Sequence, residues 1–208
     1  MNKNLFIAFE GIDGSGKSTQ VKLLAQKLEQ EGHKIYTTCE PTEGPIGKMI
    51  REIFNHRMEG DQRTIAALFV ADRLEHILNK NNGILKMLKD GYTVITDRYY
   101  FSSYAYHSVH MSMDWVIEAN RMSADLLRPD LNLYIDIAPE VSMGRIKKER
   151  NSVEMYETLE NQKQVHARYA EAFEKQKTLE KIISINGDQS PEKIAHQVWE
   201  AVKQVKQY

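Results

Sequence analysis

Apolar residues occur along the chain in two patterns. Some form short continuous runs, and others recur at the three- and four-residue spacing of a helix. Runs of this length predict five buried strands, at Leu5–Phe9, Lys34–Cys39, Tyr92–Thr96, Leu131–Ile137 and Ile182–Ile185. The stripes predict helices just after residue 16, from Pro45, at Asp61–Lys80, Gly83–Lys89 and Met113–Leu127, from Pro139, at Glu154–Lys177 and from Pro191. Because strands alternate with helices, we predict an α/β fold with a doubly wound, five-stranded parallel sheet flanked by helices.

No linker or internal repeat divides the 208 residues, and we expect a single domain over residues 1–208. The formal net charge of −1 gives no basic excess, so we expect no nucleic-acid partner. No apolar run reaches the ~20 residues that span a bilayer. The first strand follows the start closely, and we expect neither a cleavable leader nor membrane contact. The only cysteine, Cys39, cannot form an internal disulfide, and we expect it to be a small buried residue. These features favour a cytoplasmic enzyme or switch.

The segment GIDGSGKS at residues 11–18 fits the pattern G-x-x-x-x-G-K-[ST]. Its glycines let backbone N–H groups point at phosphate oxygens, and the helix N-terminus adds a partial positive charge. Lys17 can reach the terminal phosphates, and the Ser18 hydroxyl is placed to bind Mg²⁺. An ordinary glycine-rich turn is the alternative, but a strand before it and a helix after it favour a nucleoside triphosphate site. The residues predicted to contact ATP are Gly11, Ile12, Asp13, Gly14, Ser15, Gly16, Lys17, Ser18 and Thr19.

A second group of polar residues follows the third predicted strand. Asp97 stands at the tip of that strand, where a carboxylate can hold the same Mg²⁺; the alternative is an aspartate that only ends a strand. The guanidinium of Arg98 can clamp a phosphate through two hydrogen bonds. The tyrosine-rich run at residues 99–106 comes next, and packing is the more common role of such a run. We predict that Lys17, Asp97 and Arg98 are catalytic and that Ser18 and Asp97 bind the metal.

Phe69 and Arg73 are four residues apart, so they share one face of a predicted helix. A guanidinium within an apolar stripe is costly unless a polar group binds there. A planar base that stacks on Phe69 and bonds to Arg73 would explain the pair. A surface ion pair made by the neighbouring Asp72 or Glu75 is the alternative.

The segment Arg145–Arg150 concentrates positive charge after a helix. Such a run is typical of a solvated face, but it also suits a lid that closes over a triphosphate. The pair His107 and His110 has no cysteine or carboxylate cluster close by in the sequence, and we predict no zinc site there.

Several motifs together resemble those of the thymidylate kinase family, whose members phosphorylate dTMP. They are FEGIDGSGKSTQ at residues 9–20, EPT at 40–42, LFVADR at 68–73, DRYYFSSYAY at 97–106 and EMYE at 154–157. The similarity runs nearly end to end. It implies a P-loop NTPase fold with a mobile lid at about residues 142–156. It also implies transfer of the γ-phosphoryl group of ATP to dTMP with Mg²⁺, in a homodimer.

The resemblance further implies roles for individual residues. Around dTMP, these are Asp13 at the 3′-hydroxyl, Phe69 stacked on thymine, Arg73 at O4, Arg98 at the phosphate, Ser103 near N3, Tyr106 against the deoxyribose, and Pro41, Tyr156 and Glu157 nearby. Around ATP, they are Arg145 on the adenine with Asp188 and Gln189 beside it. The Glu40–Pro41 bond is expected to be cis.

Two departures from the family pattern matter. Cys39 stands where many bacterial members have an arginine, so any phosphate contact from that arginine is absent. Ser15 stands where some members carry an arginine, which resembles the type whose lid supplies the catalytic arginine. With Arg145 assigned to adenine, and lysine a poorer bidentate partner than arginine, Arg150 is the hypothesis for that role, ahead of Lys147 and Lys148.

Two other functions stay open at this point. A kinase for a deoxynucleoside or for another nucleoside monophosphate is the nearest alternative. A nucleotide-dependent switch is the alternative from another class. The guanine-reading motif N-K-x-D of such switches is incomplete here, because residues 79–82 read NKNN and lack its aspartate.

Overall fold

The computed structural model of the protein describes residues 4–149, 156 and 158–206. Its strands are β1 (Phe6–Glu10), β2 (Ile35–Cys39), β3 (Thr93–Asp97), β4 (Leu131–Asp136) and β5 (Ile182–Asn186). Its helices are α1 (Lys17–Gln30), α2 (Pro45–Phe54), α3 (Gln62–Leu78), α4 (Ile84–Lys89), α5 (Tyr100–His107), α6 (Met113–Leu126), α7 (Pro139–Glu149), α8 (Leu159–Gln176) and α9 (Pro191–Lys206).

The five strands form one sheet in the order β2-β3-β1-β4-β5, and every neighbouring pair is parallel. The predicted α/β fold is therefore confirmed. β1 lies at the centre, where Phe9 pairs with Asp97 on β3 and Glu10 pairs with Tyr134 on β4. Parallel strands bring their carboxyl ends to one edge of the sheet, and ligands bind outside that edge in open α/β folds. The loops after β1, β2 and β3 meet there.

Side chains of β1 alternate between two hydrophobic cores, one on each face of the sheet. Leu5, Ile7 and Phe9 pack with α1 and α9, while Phe6 and Ala8 pack with residues of α5 and α8. A central strand covered on both faces is apolar along most of its length, which explains the continuous run from Phe6 to Phe9 before the buried Glu10. Within the described residues, no helix has both the length and the apolar character needed to cross a membrane.

Two helices, α5 and α8, differ from the sequence prediction by more than two residues. The run at residues 100–107 forms α5, which the sequence pattern did not predict because aromatic residues occupy every face of it. All eight of its side chains are buried, since α3, α6 and α8 pack against the helix. The predicted start of α8 at residue 154 is wrong, because Thr158 caps the helix by accepting a hydrogen bond from the N–H of Asn161 at 3.2 Å.

Candidate active site

The phosphate loop curls between the carboxyl end of β1 and the first turn of α1. Gly14 (φ 71°) and Gly16 (φ 95°) adopt left-handed backbone conformations that favour glycine. A Cβ atom on Gly14 would lie 2.9 Å from the carbonyl oxygen of Ser142, so this glycine also lets α7 approach the loop. Lys17 bends back over the loop, where its Nζ donates to the carbonyl oxygen of Ile12 at 2.9 Å.

The two predicted metal ligands lie together. The hydroxyl of Ser18, in the first turn of α1, donates to Oδ2 of Asp97, at the end of β3, over 2.5 Å. Both offer the oxygen atoms that Mg²⁺ prefers, so the residues present fit this ion. Within the described ranges, no group of three or more His, Cys, Asp or Glu side chains could hold a metal ion. Phosphate oxygens and water would therefore supply the other ligands, as is common for Mg²⁺.

A cavity of about 570 Å³ opens above the phosphate loop, and we call it the donor cavity. The predicted ATP residues that line it are Asp13, Gly14, Ser15, Gly16, Lys17, Ser18, Thr19, Arg145 and Gln189. Gly11, Ile12 and Asp188 do not line it; Ile12 is fully buried under the loop. Arg145 on α7 donates from Nη2 to the carbonyl oxygen of Gly187 at 3.0 Å, which joins α7 to the loop after β5.

A second cavity of about 280 Å³ adjoins the first, and we call it the acceptor cavity. The predicted dTMP residues that line it are Asp13, Pro41, Phe69, Arg98, Ser103, Tyr106 and Tyr156. They come from six separate parts of the chain, so only the fold brings them together. The Glu40–Pro41 bond is cis, as expected. Arg150 and Glu157 lie outside the described residues.

Asp13 and Arg98 line both cavities and form an ion pair where the cavities meet. Arg98 also donates to the carbonyl oxygen of Gly11 at 3.0 Å, and the hydroxyl of Tyr106 donates to Oδ2 of Asp13 at 2.8 Å. Burial alone would raise the pKa of Asp13, but the positive charges of Arg98 and Lys17 outweigh it and lower this pKa to about 2. The place where the two cavities meet, which we call the junction, therefore holds the negative charge of Asp13 beside the positive charges of Arg98 and Lys17.

Two further groups at this edge have displaced pKa values. Burial lowers the pKa of Lys17 to about 8, assisted by repulsion from Arg98 and opposed by the nearby carboxylates. Burial raises the pKa of Glu10 to about 7, although the Ser102 hydroxyl donates to it at 2.6 Å. Displaced values of this kind are common at functional sites.

Arg73 does not line the acceptor cavity; it lies directly behind Ser103, to whose hydroxyl oxygen its Nη1 donates at 3.1 Å. Its Nε and Nη2 donate to Oε2 of Glu40 at 2.9 and 2.6 Å, and Asn120 accepts another hydrogen bond from Nη1. The alternative of a surface ion pair at Asp72 is wrong. That carboxylate is buried and accepts hydrogen bonds from the N–H and hydroxyl of Thr42 at 2.7 and 2.6 Å.

The sequence reasoning missed several residues of the acceptor cavity. Arg51 on α2 lines it and donates to the carbonyl oxygen of Pro41 at 2.8 Å, and His107 lines it from the end of α5. The position of His107, directly after Tyr106, was the available signal. The prediction that Cys39 is buried is wrong: it is exposed and lines both cavities, because β2 is an edge strand.

Comparison with known proteins agrees with this geometry. The profile of the family described as "Thymidylate kinase" matches residues 9–198. A "Probable thymidylate kinase" of Pyrococcus horikoshii is 38% identical over 88% of this chain and 91% of its own length. A "Thymidylate kinase" of Bacillus cereus strain B4264 is 35% identical over 97% of this chain and 98% of its own. One of Methanococcus aeolicus, named as probable, is 39% identical over 80% of this chain and 78% of its own. The chain belongs to the thymidylate kinase family.

Proposed function

We propose that the protein transfers the γ-phosphoryl group of ATP to the 5′-phosphate of dTMP, giving dTDP and ADP for DNA precursor synthesis. The observation that carries the proposal is the shared wall of the two cavities. Asp13 and Arg98 contribute to both, so a donor over the phosphate loop and an acceptor beside Phe69 would meet there.

Catalysis would consist of positioning the two substrates and of neutralising the charge on their phosphate groups. An oxygen of the acceptor phosphate attacks the γ-phosphorus, the bond to the β-phosphate oxygen breaks, and no covalent enzyme intermediate or general base is needed. Lys17 and Arg98 neutralise charge on the donor and acceptor phosphates. Mg²⁺, held through Ser18 and Asp97, would supply further neutralisation of the phosphate oxygens. Asp13, ionised at neutral pH, accepts a hydrogen bond from the 3′-hydroxyl.

The remaining residue roles follow the family resemblance and the cavity walls. Phe69 stacks on thymine, Ser103 lies near N3 and Tyr106 packs against the deoxyribose, while Pro41, Tyr156 and Glu157 complete the acceptor site. Arg73, one side chain behind the wall, acts on O4 after a small shift or through Ser103. Arg145, with Asp188 and Gln189, holds the adenine.

The wider organisation is also part of the proposal. One domain over residues 1–208 carries a lid at about 142–156, from which Arg150 reaches the transferring phosphoryl group. The chain acts as a homodimer in the cytoplasm. Exposed apolar side chains on α6 support the dimer: Trp115, Met122 and Leu126 are 47%, 65% and 41% exposed and lie along one side of the helix.

An acceptor panel tests the proposal. ADP production is measured with ATP and Mg²⁺ and with dTMP, dUMP, dCMP, dGMP or thymidine as acceptor. We expect dTMP to give the highest kcat/KM and Lys17→Ala to abolish transfer in a folded protein. Preference for thymidine would indicate a nucleoside kinase instead. ATP hydrolysis independent of every acceptor would indicate a switch or regulatory ATPase.

A further inference from the structure

Glu10, the last residue of β1, carries a buried carboxyl group directly behind the wall of the acceptor cavity. It is 0% exposed. Its Oε2 accepts a hydrogen bond from the hydroxyl of Ser102 at 2.6 Å, and that hydroxyl oxygen accepts one from Nη1 of Arg98 at 3.0 Å. Ser102 and Arg98 line the acceptor cavity. A single hydroxyl group therefore separates Glu10 from the arginine that the proposed function assigns to the acceptor phosphate.

Neutral groups supply the hydrogen bonds to Glu10. Its Oε1 accepts from the backbone N–H of Tyr99 at 2.9 Å, and Oε2 also accepts from the hydroxyl of Tyr169 at 3.0 Å. Burial raises the pKa of Glu10 to about 7, while the hydrogen bond from Ser102 and the positive charge of Arg98 oppose the rise. Near pH 7 the free enzyme therefore contains Glu10 both as the acid and as the carboxylate, and Arg98 favours the carboxylate.

The surroundings of Glu10 offer hydrogen-bond partners to both of its forms. The carboxylate accepts from the hydroxyls of Ser102 and Tyr169. A proton on Oε2 can instead be donated to either hydroxyl oxygen, because a hydroxyl group rotates and acts as donor or acceptor. These two hydroxyls lie 2.9 Å apart, and the carbonyl oxygen of Gly11 lies 3.4 Å from that of Tyr169 as a further acceptor. Both forms can thus be hydrogen-bonded without movement of the backbone.

Other ionisable groups also face Glu10 from the elements around it. Lys17 acts on it from α1 as a second positive charge. Three tyrosines face it, and burial raises the pKa of each, so that they are neutral near pH 7; they are Tyr104 on α5, Tyr134 on β4 and Tyr169 on α8. The charge of the Glu10 carboxylate is therefore balanced by Arg98 and Lys17. A phosphate dianion beside Arg98 offsets this positive charge and makes the carboxylate form less favourable.

We propose that Glu10 takes up a proton from solvent when the phosphate of the acceptor binds Arg98, so that the binding of dTMP is linked to proton uptake. The proposal rests on the proposed function, because that function assigns the acceptor phosphate to Arg98. The proton binds Oε2, and no covalent bond to the acceptor forms. Neutral Glu10 leaves the charge of Arg98 to the phosphate. The affinity for dTMP therefore falls as pH rises above about 7, where the proton is harder to obtain.

Isothermal titration calorimetry tests the proposal. Titrating dTMP into the enzyme without ATP or Mg²⁺, in buffers of different ionisation enthalpy, counts the protons taken up. If the bound phosphate raises the pKa of Glu10 by about one pH unit, its protonated fraction at pH 7.0 rises from about one half to about nine tenths, an uptake of roughly 0.4 proton per dTMP. Two other groups contribute little at this pH. Lys17, with a pKa of about 8, and the phosphate, with a second pKa of about 6, are each about nine tenths charged before binding.

Two variants and one ligand control the measurement. Glu10→Gln keeps the shape of the side chain but cannot take up a proton, and we expect it to bind dTMP with an uptake close to zero. Glu29→Gln, at an exposed position of α1, should behave as the wild type. Thymidine has no phosphate and should bind the wild type without uptake. The inference is overturned if Glu10→Gln takes up as many protons as the wild type, or if thymidine causes the same uptake as dTMP.

A measurement on the wild type covers the case in which Glu10→Gln does not fold. With ¹³C-labelled glutamate, the side-chain carboxyl resonance of Glu10 should titrate near pH 7 in the free enzyme and about one pH unit higher with dTMP bound. A midpoint that dTMP leaves unchanged would overturn the inference. Failure of the wild type to phosphorylate dTMP would instead reject the proposed function, so the two failures are distinguishable.

Discussion

Arg73 and Glu40 form an ion pair that is closed off from water, with 2.6 Å between Nη2 and Oε2 and with both side chains 1% exposed. The pair joins α3 to the tip of β2, and Arg73 continues to Ser103 on α5 and Asn120 on α6. Removing two charges from water is costly, and the cost is offset only where the remaining donors and acceptors are paired, as they are here. The pair therefore fixes four elements around the acceptor cavity.

Arg73→Ala is expected to lower the free energy of unfolding by about 3–5 kcal/mol, because it leaves the Glu40 carboxylate buried without its main partner. It should also raise KM for dTMP much more than KM for ATP. Urea denaturation and steady-state kinetics measure the two effects. Arg121→Ala is the matched control: this exposed arginine pairs with Glu118 on α6, and its loss should cost less than about 0.5 kcal/mol. A cost for Arg73→Ala as small as that of the control would contradict the prediction.

The pKa of Lys17 predicts how ATP use depends on pH. Below about pH 8 the free enzyme carries a protonated Lys17, and above it the amine loses the charge that attracts phosphate. We expect kcat/KM for ATP to fall as pH rises through about 8, because this ratio reports the free enzyme. Lys17→Arg stays charged throughout, so whatever activity it retains should lack this decline. A wild-type profile that is flat from pH 7 to 9.5 would be the contrary result.

Glu10 predicts how stability depends on pH. Burial raises its pKa from the ordinary value of 4.5 to about 7, so the folded protein holds this proton more tightly than the unfolded chain does. The contribution of Glu10 to stability is therefore fully present below about pH 4.5 and is lost as pH rises to about 7, by on the order of 3 kcal/mol. Glu10→Gln should remove this decline in urea titrations, whereas Glu29→Gln, at an exposed position, should not.

Tyr106→Ala is expected to relax discrimination against a ribose acceptor. The ring lines the acceptor cavity beside Asp13 and stacks on the guanidinium of Arg98 at 4.9 Å, so we expect it to occupy the space that an added 2′-hydroxyl would need. Tyr106→Phe keeps the ring and should keep the discrimination. The measurement is the ratio of kcat/KM values for the deoxyribose and ribose forms of thymidine monophosphate. An unchanged ratio in the alanine variant would assign the exclusion to another group.

Arg150→Ala is expected to lower kcat by about two orders of magnitude with little change in dTMP binding. An arginine that contacts only the transition state, and not the bound substrates, affects kcat without affecting binding. Lys147→Ala and Lys148→Ala, at exposed positions of α7, are the comparison variants. If a lysine variant loses activity while Arg150→Ala does not, the role belongs to that lysine. If all three variants keep normal kcat, none of these three side chains neutralises the transferring phosphoryl group.

The sequence predicted what depends on local pattern. The strands and the phosphate loop follow from apolar runs and glycine spacing, and the contact of Ser18 with Asp97 follows from the parallel order of β1 and β3. Partners across the fold could not be read in this way. Nothing local to Arg73 specifies that Glu40, 33 residues earlier, accepts its hydrogen bonds.

Solvent exposure was the other quantity that local pattern could not supply. Cys39 looks like a core residue within its own strand, and only the position of β2 at the edge of the sheet exposes it. His107 looks like one more residue of an aromatic run, and only the arrangement of α3 and α5 places it against Phe69 in a cavity wall. Both outcomes depend on how distant elements pack.

The position of Asp13 limits which substitutions can change the acceptor specificity of this enzyme. Its backbone belongs to the phosphate loop that lines the donor cavity, while its carboxylate, in the wall of the acceptor cavity, is paired with Arg98 and accepts a hydrogen bond from Tyr106. A substitution there cannot retune the choice of acceptor without also disturbing the donor loop. A lineage that acquires a new acceptor is therefore expected to vary the outer wall, at positions such as Phe69 and His107, before it alters the junction. Directed evolution of this chain toward other pyrimidine acceptors should therefore begin with substitutions at Phe69 and His107.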